Sequence, residues 1–282
     1  MDRYTVTTFN YLVASAMSLL FVLLEGFPFP GFQTSFSDFF GEVSSVLSSH
    51  GTFGPAASIG WAIIAGIPSG VLYFLGFIYL QKAVRESGVS LAGSFSKMGV
   101  LVPMVLAIFL WHEIPSAVQW TGIILALASI LLANLDFSST GRLLSGFQPV
   151  LLMLFLTVGL SEFSNKVYQK YGVLEMKSLF LLFIFGTALL VSGFLTLRRK
   201  RRITLSNVLT GLAVGIPNYF ASFFLILALS RMKTAVVFPI YSASTIALLT
   251  LTAWLVFHEK LKPRERAAVL LTVIALVLVN VR

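Results

Sequence analysis

The sequence contains no cysteine and few charged residues, and these two absences exclude several classes of protein. Without cysteine there can be no disulfide framework and no thiol catalysis. Charged residues make up 11% of the chain, against about 25% in an ordinary soluble domain. Hydrophobic residues make up 57% and the mean hydropathy is +0.91. The composition therefore excludes an ordinary soluble domain.

Sequence motifs of common enzymes are also missing. The chain has no Gly-x-x-x-x-Gly-Lys-Ser/Thr motif for ATP, no His-Glu-x-x-His zinc motif and no Gly-x-Ser-x-Gly nucleophile motif. We therefore expect the protein not to be an enzyme and to need no cofactor or metal.

The apolar residues occur in runs of about 17 to 25, the length that an α-helix needs to cross a bilayer. The alternating pattern of a transmembrane β-barrel is absent. The runs predict an all-α, polytopic membrane helix bundle that lies in the cell membrane. Its nine predicted spans are 6–25, 59–80, 89–111, 117–136, 149–167, 177–197, 206–229, 235–257 and 265–281.

The segment between the first two spans, residues 26–58, differs from the other links. It is long and rich in Ser, Gly, Phe and Pro, and it carries only two acidic residues, Asp38 and Glu42. We interpret it as an extramembrane or interfacial loop with a short surface helix over Phe36 to Leu47.

Three short motifs occur twice, which indicates a tandem duplication of a membrane-embedded unit. The spacing between the copies is 149 residues for the first motif and 146 for the other two. The paired motifs are Gly66-Ile67-Pro68 with Gly215-Ile216-Pro217, His112-Glu113 with His258-Glu259, and Asn134 with Asn280. In this interpretation Pro68 and Pro217 open helices at matching positions and kink them.

The end of each copy resembles the EamA family of the drug/metabolite transporter superfamily. The family pattern is a helix with a central proline, a turn of the form Glu-x-x-Ser-x-x-Gln-x-x-Gly, and a closing helix. The first copy supplies Pro103, Glu113, Ser116, Gln119 and Gly122. The second copy keeps Glu259 but has Leu249 and Ala268 at the proline and glycine positions.

The resemblance covers nearly the whole chain and implies two repeats of five helices with inverted topology, a central cavity and alternating access. The first repeat would be residues 1–136, including the loop 26–58, and the second residues 149–282. The first repeat shows four helices instead of five, because its family helix one is missing. Either the start codon lies further upstream or the protein is a true nine-helix variant. In both cases we expect residues 6–136 and 170–281 to superpose about a two-fold axis in the membrane plane.

Positive charge outweighs negative charge by nine, and most of it lies in short loops. We interpret these clusters as topology signals that touch lipid headgroups, not as a nucleic-acid site. With the C-terminus inside, as is usual in the family, the cytoplasmic side would carry six Lys and Arg and the other side thirteen. The positive-inside rule therefore predicts the reverse, with the loop 198–202 cytoplasmic and Arg282 outside.

Polar residues inside the spans are the candidate solute site, since each needs a partner in a low-dielectric layer. The candidates are Lys97, Glu162, Asn165, Asn218, Tyr219, Tyr241 and Ser244. Snorkelling towards the headgroups is the structural alternative for Lys97 and Glu162. Glu113 and Glu259 have a structural interpretation, in which each caps the helix that follows it.

Two functions remain open at this point. The first is secondary transport of a small, amino-acid-like or other polar organic solute. The alternative is a non-transporting membrane subunit or lipid-handling partner, which would need another chain to complete its bundle. Membrane lipids are expected partners in both cases, and a homodimer is compatible with either.

Overall fold

The computed structural model describes residues 3–26, 33–134, 149–198, 203–256, 258 and 263–280. Within these ranges the protein is built from α-helices, with one short 3-10 turn at Leu174–Met176 and no strand. The helices are α1 (Arg3–Leu24), α2 (Ser35–Ser49), α3 (Pro55–Ser87), α4 (Val89–Met98), α5 (Leu101–Trp111), α6 (Ala117–Asn134), α7 (Pro149–Tyr171), α8 (Lys177–Arg198), α9 (Leu205–Leu229), α10 (Thr234–Leu255) and α11 (Pro263–Asn280).

Seven segments of the described chain are long and apolar enough to cross a membrane, and α4 and α5 together form one of them, Leu91–Trp111. Two shorter apolar segments, Ala117–Leu132 and Arg266–Leu278, lie in α6 and α11. Each of the nine predicted spans therefore coincides with a helix. The prediction of an all-α, multi-pass membrane protein is confirmed.

The surface helix predicted within the loop 26–58 is present as α2. The structure extends it to Ser35–Ser49, slightly beyond the predicted ends. Its C-terminal cap, His50, has left-handed backbone angles, and its N–H bonds to the carbonyl of Val46.

The predicted span 89–111 contains one irregular turn, at Gly99 and Val100, whose backbone angles remain helical. Pro103 has no N–H to donate to the carbonyl of Gly99, which lies four residues earlier. That carbonyl accepts a tighter bond from the N–H of Val102 at 3.0 Å. The missing i to i+4 bond explains why the span divides into α4 and α5 beside this proline.

The prediction that Pro68 and Pro217 open helices is wrong. Both lie inside long helices, Pro68 in α3 and Pro217 in α9. Proline is tolerated inside a membrane helix because neighbouring groups can satisfy the backbone carbonyl that loses its hydrogen-bond donor.

Several sequence predictions concern residues outside the described ranges. These are Phe257, Glu259, the arginine-rich positions 199–202 and the C-terminal Arg282. The predicted membrane orientation depends on these residues and stays a prediction.

The chain divides into two compact units that each combine distant parts of the sequence. Unit 1 is Met1–Phe77 with Ser164–Arg231, and unit 2 is Ile78–Phe163 with Met232–Arg282. The predicted sequence repeats, 1–136 and 149–282, have different boundaries from these two units. The division into repeats stays a prediction.

Unit 1 is packed around two pairs of glycines spaced four residues apart. A Cβ on Gly66 of α3 would lie 2.7 Å from the Cβ of Phe183 on α8, and Gly70 meets the carbonyl of Ile184 in the same helix. Gly211 and Gly215 of α9 stand against α1 in the same way. Small residues at this spacing let two helix backbones approach closely in a membrane.

Unit 2 contains a comparable close approach between α4–α5 and α7. A Cβ on Gly159 would lie 2.6 Å from the carbonyl oxygen of Gly99 and 2.6 Å from the Cβ of Val102. Apolar clusters complete the packing, for example Ala126 and Ile130 of α6 with Ala243 of α10 and Ala275 of α11.

Candidate functional site

The close approach of Gly99 and Gly159 determines where the two interior charges of unit 2 lie. Lys97 is two residues before Gly99, and Glu162 is three residues after Gly159. Both side chains are half-buried, and their charges interact with each other.

One hydrogen bond joins α10 to this part of unit 2. Ser242 of α10 donates its Oγ–H to the backbone carbonyl of Lys97 at 3.3 Å. Ser94 and Ser161 are buried and lie within one helical turn of Lys97 and Glu162 along α4 and α7. Tyr241 and Ser244, two of the predicted candidates, lie within two residues of Ser242 on α10 and are half-buried. We call Lys97, Glu162 and Ser242 the charged cluster of unit 2.

Unit 1 contains a neutral network centred on Tyr73 of α3. The side-chain amide of Asn165 donates to the Tyr73 hydroxyl at 2.8 Å, and that hydroxyl lies 3.2 Å from the Oγ of Ser222. Tyr11 donates to the backbone carbonyl of Tyr73 at 3.0 Å. The Tyr73 network thus links four helices, α1, α3, α7 and α9.

The other two candidates of unit 1 lie on α9. Asn218 donates from Nδ2 to the Oδ1 of Asn10 on α1 at 3.2 Å. The buried Tyr219 packs against Phe21 of α1, with 5.3 Å between ring centroids, and its hydroxyl faces the buried hydroxyl of Ser178 on α8.

Unit 1 contains an ion pair at a helix end. Lys177, the first residue of α8, donates to the Oε1 of Glu25 at 2.7 Å. Its Nζ also lies 4.8 Å from the ring centroid of Phe223, in cation–π range. The Glu25 side chain is 30% exposed, so this pair is less enclosed than an interior site.

The seven predicted candidates therefore fall into two groups. Lys97, Glu162, Tyr241 and Ser244 lie in unit 2, where Lys97 and Glu162 belong to the charged cluster. Asn165, Asn218 and Tyr219 belong to the polar residues of unit 1.

Sequence reasoning missed the residues that organise the polar interior of unit 1. Tyr73, Ser222 and Asn10 were not among the candidates, although each is a polar residue within a predicted span. Their position inside an apolar span could have identified them as candidates. Tyr73 escapes notice because a tyrosine in a membrane helix is most often an interfacial or packing residue.

The expected role of Glu113 is corrected in one respect. Glu113 caps a helix, but not the one that follows it, α6. Its Oε2 accepts from the N–H of Thr234 at 2.6 Å, at the start of α10. The start of α6 is closed by Ser116 and Gln119, which exchange backbone-to-side-chain bonds of 3.0 and 3.3 Å. That pair is a capping box, and it leaves Glu113 available for α10.

The paired histidines also have a structural role. His112 has left-handed backbone angles (φ 51°), caps α5 and donates its N–H to the carbonyl of Ala107. His258 has φ 54° at the matching position of the second copy. In the described part of the chain no cluster of His, Asp and Glu is arranged to hold a metal ion.

Comparisons with known proteins support the fold and leave the function open. No protein-family model matches the chain. An uncharacterized protein of Haemophilus influenzae is 27% identical over 190 residues, which is 66% of this chain and 64% of that relative. The match thus takes in slightly less than two thirds of the relative's length.

The crystal structure of another protein is similar to this structure over the full length of the chain. The similarity extends over 89% of the solved chain, with a TM-score of 0.67 and 15% sequence identity. At this identity the likeness shows a shared fold.

Proposed function

We propose that this protein is a secondary transporter of small polar organic solutes in the cell membrane, with an amino-acid-like solute and an alternating-access mechanism. The observation that carries the proposal is the charged cluster of unit 2, which places Lys97 and Glu162 inside membrane-spanning helices. The proposal agrees with the resemblance to the EamA family.

The position of the two charges is the first argument. A charged side chain at the centre of a membrane helix costs about 2.5–3.5 kcal/mol on insertion scales, and such residues usually mark solute or ion pathways. Lys97 and Glu162 offset part of that cost through their mutual attraction. An amino-acid-like solute could take over this interaction, with its carboxylate on Lys97 and its amine on Glu162. Glu162 could alternatively hold a proton for coupling.

The irregular turn beside Lys97 is the second argument. Pro103 leaves the carbonyl of Gly99 without its usual i+4 donor, and that carbonyl bonds to the N–H of Val102 instead. Transporter binding sites commonly lie near irregular helix backbone within the bilayer. Ser242, which bonds to the backbone carbonyl of Lys97, adds a hydroxyl group close to this turn.

Local likenesses between the sequence copies support an inverted repeat. Gly66 of α3 packs on the carbonyl of Phe180 and the Cβ of Phe183, a separation of three residues. Its counterpart Gly215 packs on the carbonyl of Asn10 and the Cβ of Val13, which are also three residues apart. The left-handed histidines at matching positions agree with this. Repeats of this kind are frequent in secondary transporters.

Uptake into proteoliposomes tests the proposal. We would reconstitute Lys97→Met and Glu162→Gln and measure uptake of a mixture of radiolabelled amino acids, with the amount of inserted protein determined in parallel. Both variants are expected to lose uptake at normal abundance.

The matched controls are Lys82→Met and Glu86→Gln. Lys82 and Glu86 are a Lys and Glu that interact at the end of α3, with 4.0 Å between Nζ and Oε1, but their side chains are 50% and 42% exposed. The controls are expected to keep uptake. Normal uptake in both interior variants would refute a role for the pair in solute binding. No uptake by the wild-type protein for any labelled solute would favour the partner-subunit alternative.

A further inference from the structure

Helix α2 has three distinct faces, which is unusual for a helix of 15 residues. At 3.6 residues per turn, Ser35, Phe39 and Val46 share one face, and all three are buried. The adjacent face is apolar and exposed. It consists of Phe36, Phe40 and Leu47, with exposed fractions of 44%, 67% and 48%. The third face consists of Ser37, Ser44, Ser45 and Ser48, which are exposed.

The buried face fixes α2 to the beginning of α3. Phe39 packs against Phe53 at 5.1 Å and against Trp61 at 6.2 Å between ring centroids. Glu42 accepts the backbone N–H of Gly54 through its Oε2 at 2.7 Å. These contacts hold the orientation of α2, so that its apolar and serine faces point in defined directions.

The place of α2 in the chain puts it at a membrane surface. It lies between α1 and α3, which are consecutive spanning helices, and it packs on the first turns of α3. At 1.5 Å per residue it is about 22 Å long, too short to cross a hydrocarbon core of about 30 Å. Trp61 and Tyr171, 6.0 Å apart, lie beside it, and both residue types are enriched at the membrane–water interface.

We propose that α2 lies in the plane of the membrane interface and is bound there by lipid. Phe36, Phe40 and Leu47 insert at the boundary between headgroups and acyl chains, while the serine face meets water. A helix with one apolar face and one polar face binds this layer through its buried apolar area. Leu23 and Leu24 at the end of α1, the helix that precedes α2 in the chain, are exposed apolar residues as well.

The charge of α2 identifies which part of the lipid it recognises. The helix has no Lys or Arg, and its ionisable residues are Asp38 and Glu42. Binding therefore relies on acyl chains and not on attraction to anionic headgroups. The proposal that lipid binds α2 does not rest on the proposed transport activity, because any multi-pass protein could use such a helix.

Single-cysteine labelling tests this proposal, because the native chain contains no cysteine to remove. Phe40→Cys and Leu47→Cys place an environment-sensitive fluorophore on the apolar face, and Ser45→Cys is the matched control, since it is exposed and lies on the opposite side of the helix. Each full-length variant is reconstituted in phosphatidylcholine vesicles. Quenching is measured with a lipid that carries a nitroxide near its headgroup and, separately, with aqueous iodide.

Labels at positions 40 and 47 are expected to be quenched by the lipid nitroxide and protected from iodide. The label at position 45 is expected to show the reverse. Because the contact is apolar, replacing a third of the lipid by phosphatidylglycerol should leave the pattern unchanged.

Three results would overturn the proposal. Equal iodide quenching at positions 40 and 45 would show that both sides of α2 are in water. Protection of position 40 from both quenchers would show that protein covers the face. Lipid quenching that requires phosphatidylglycerol would show an electrostatic contact instead. Equal thermal stability of the labelled variants and the unlabelled protein would establish that all of them are folded.

Discussion

The two compact units accommodate polar groups in different ways. Unit 1 joins its helices through neutral side chains around Tyr73, and its ion pair between Glu25 and Lys177 is at helix ends. Unit 2 places Lys97 and Glu162 within spanning helices. Charges at helix ends reach the headgroups at little cost, whereas interior charges must be offset. Unit 1 also has one buried charge within a span, Lys166, which bonds to Gln169 one turn further along α7. The proposed solute site rests on the contrast with unit 2, whose two interior charges have opposite signs.

Both units nevertheless depend on glycines for close helix packing. Substitution of these glycines is expected to give the largest loss of stability. Gly70→Ala would drive a methyl group into the carbonyl of Ile184, and Gly159→Ala would drive one into that of Gly99. Each is expected to destabilise the protein by about 1–3 kcal/mol, because neither backbone can move aside cheaply. Thermal unfolding in detergent micelles measures the loss.

Gly186→Ala is the matched control for this pair. A Cβ at Gly186 would approach only the Oγ of Ser15, at 3.8 Å, which is ordinary van der Waals contact. This variant is expected to keep or slightly raise stability, since alanine favours helix over glycine. If all three variants had the same melting temperature, close backbone contact would not be the reason for glycine at positions 70 and 159.

A double-mutant cycle on Lys97 and Glu162 sharpens the difference between the units. Each single substitution leaves the other charge without its partner, whereas the double variant removes both. We expect a coupling energy of about 0.5–3 kcal/mol, the range for residues in direct interaction. Unfolding of the four proteins measures it.

Uptake assays on the same four proteins separate folding from function. If the pair serves only folding, the double variant should recover both stability and uptake. We expect it to recover stability without uptake.

Tyr73→Phe tests the neutral network of unit 1. It removes the hydroxyl that joins Asn165 and Ser222. Hydrogen bonds between membrane helices contribute about 0.6 kcal/mol on average and about 1.7 at most. Tyr79→Phe is the control, since Tyr79 packs in an apolar cluster of unit 2. A smaller loss of stability than for the glycines is expected, with uptake preserved. Lost uptake at normal abundance would extend the solute site into unit 1.

The smallest effect is expected at Glu113. Glu113→Ala removes the acceptor for Thr234 and a negative charge at the positive end of α10. A loss of about 0.3–1 kcal/mol is expected, as for other charges at helix termini. Glu113→Gln keeps an acceptor oxygen and should lose less. Equal losses in both variants would show that the charge alone matters.

The sequence was sufficient to predict the spans because membrane helices need long apolar runs with satisfied backbones. Lys97 and Glu162 were also found, since a charge within such a run stands out. The irregular turn at Gly99 was not predicted, although Pro103 was visible. Many membrane helices tolerate a proline without dividing, and only the bond from Val102 shows the outcome here. Tyr73 and the partner of Glu113 were missed because both depend on contacts between distant helices.

The length of α3 has a consequence for the membrane around this protein. Its 33 residues are about 50 Å long at 1.5 Å per residue, whereas the hydrocarbon core is about 30 Å thick. With Trp61 in the interfacial layer, the first turns of α3 stand outside the core and support α2. A thinner bilayer would then leave α2 further from the acyl chains, and a thicker one would draw it deeper, so the depth of α2 would follow the thickness of the membrane.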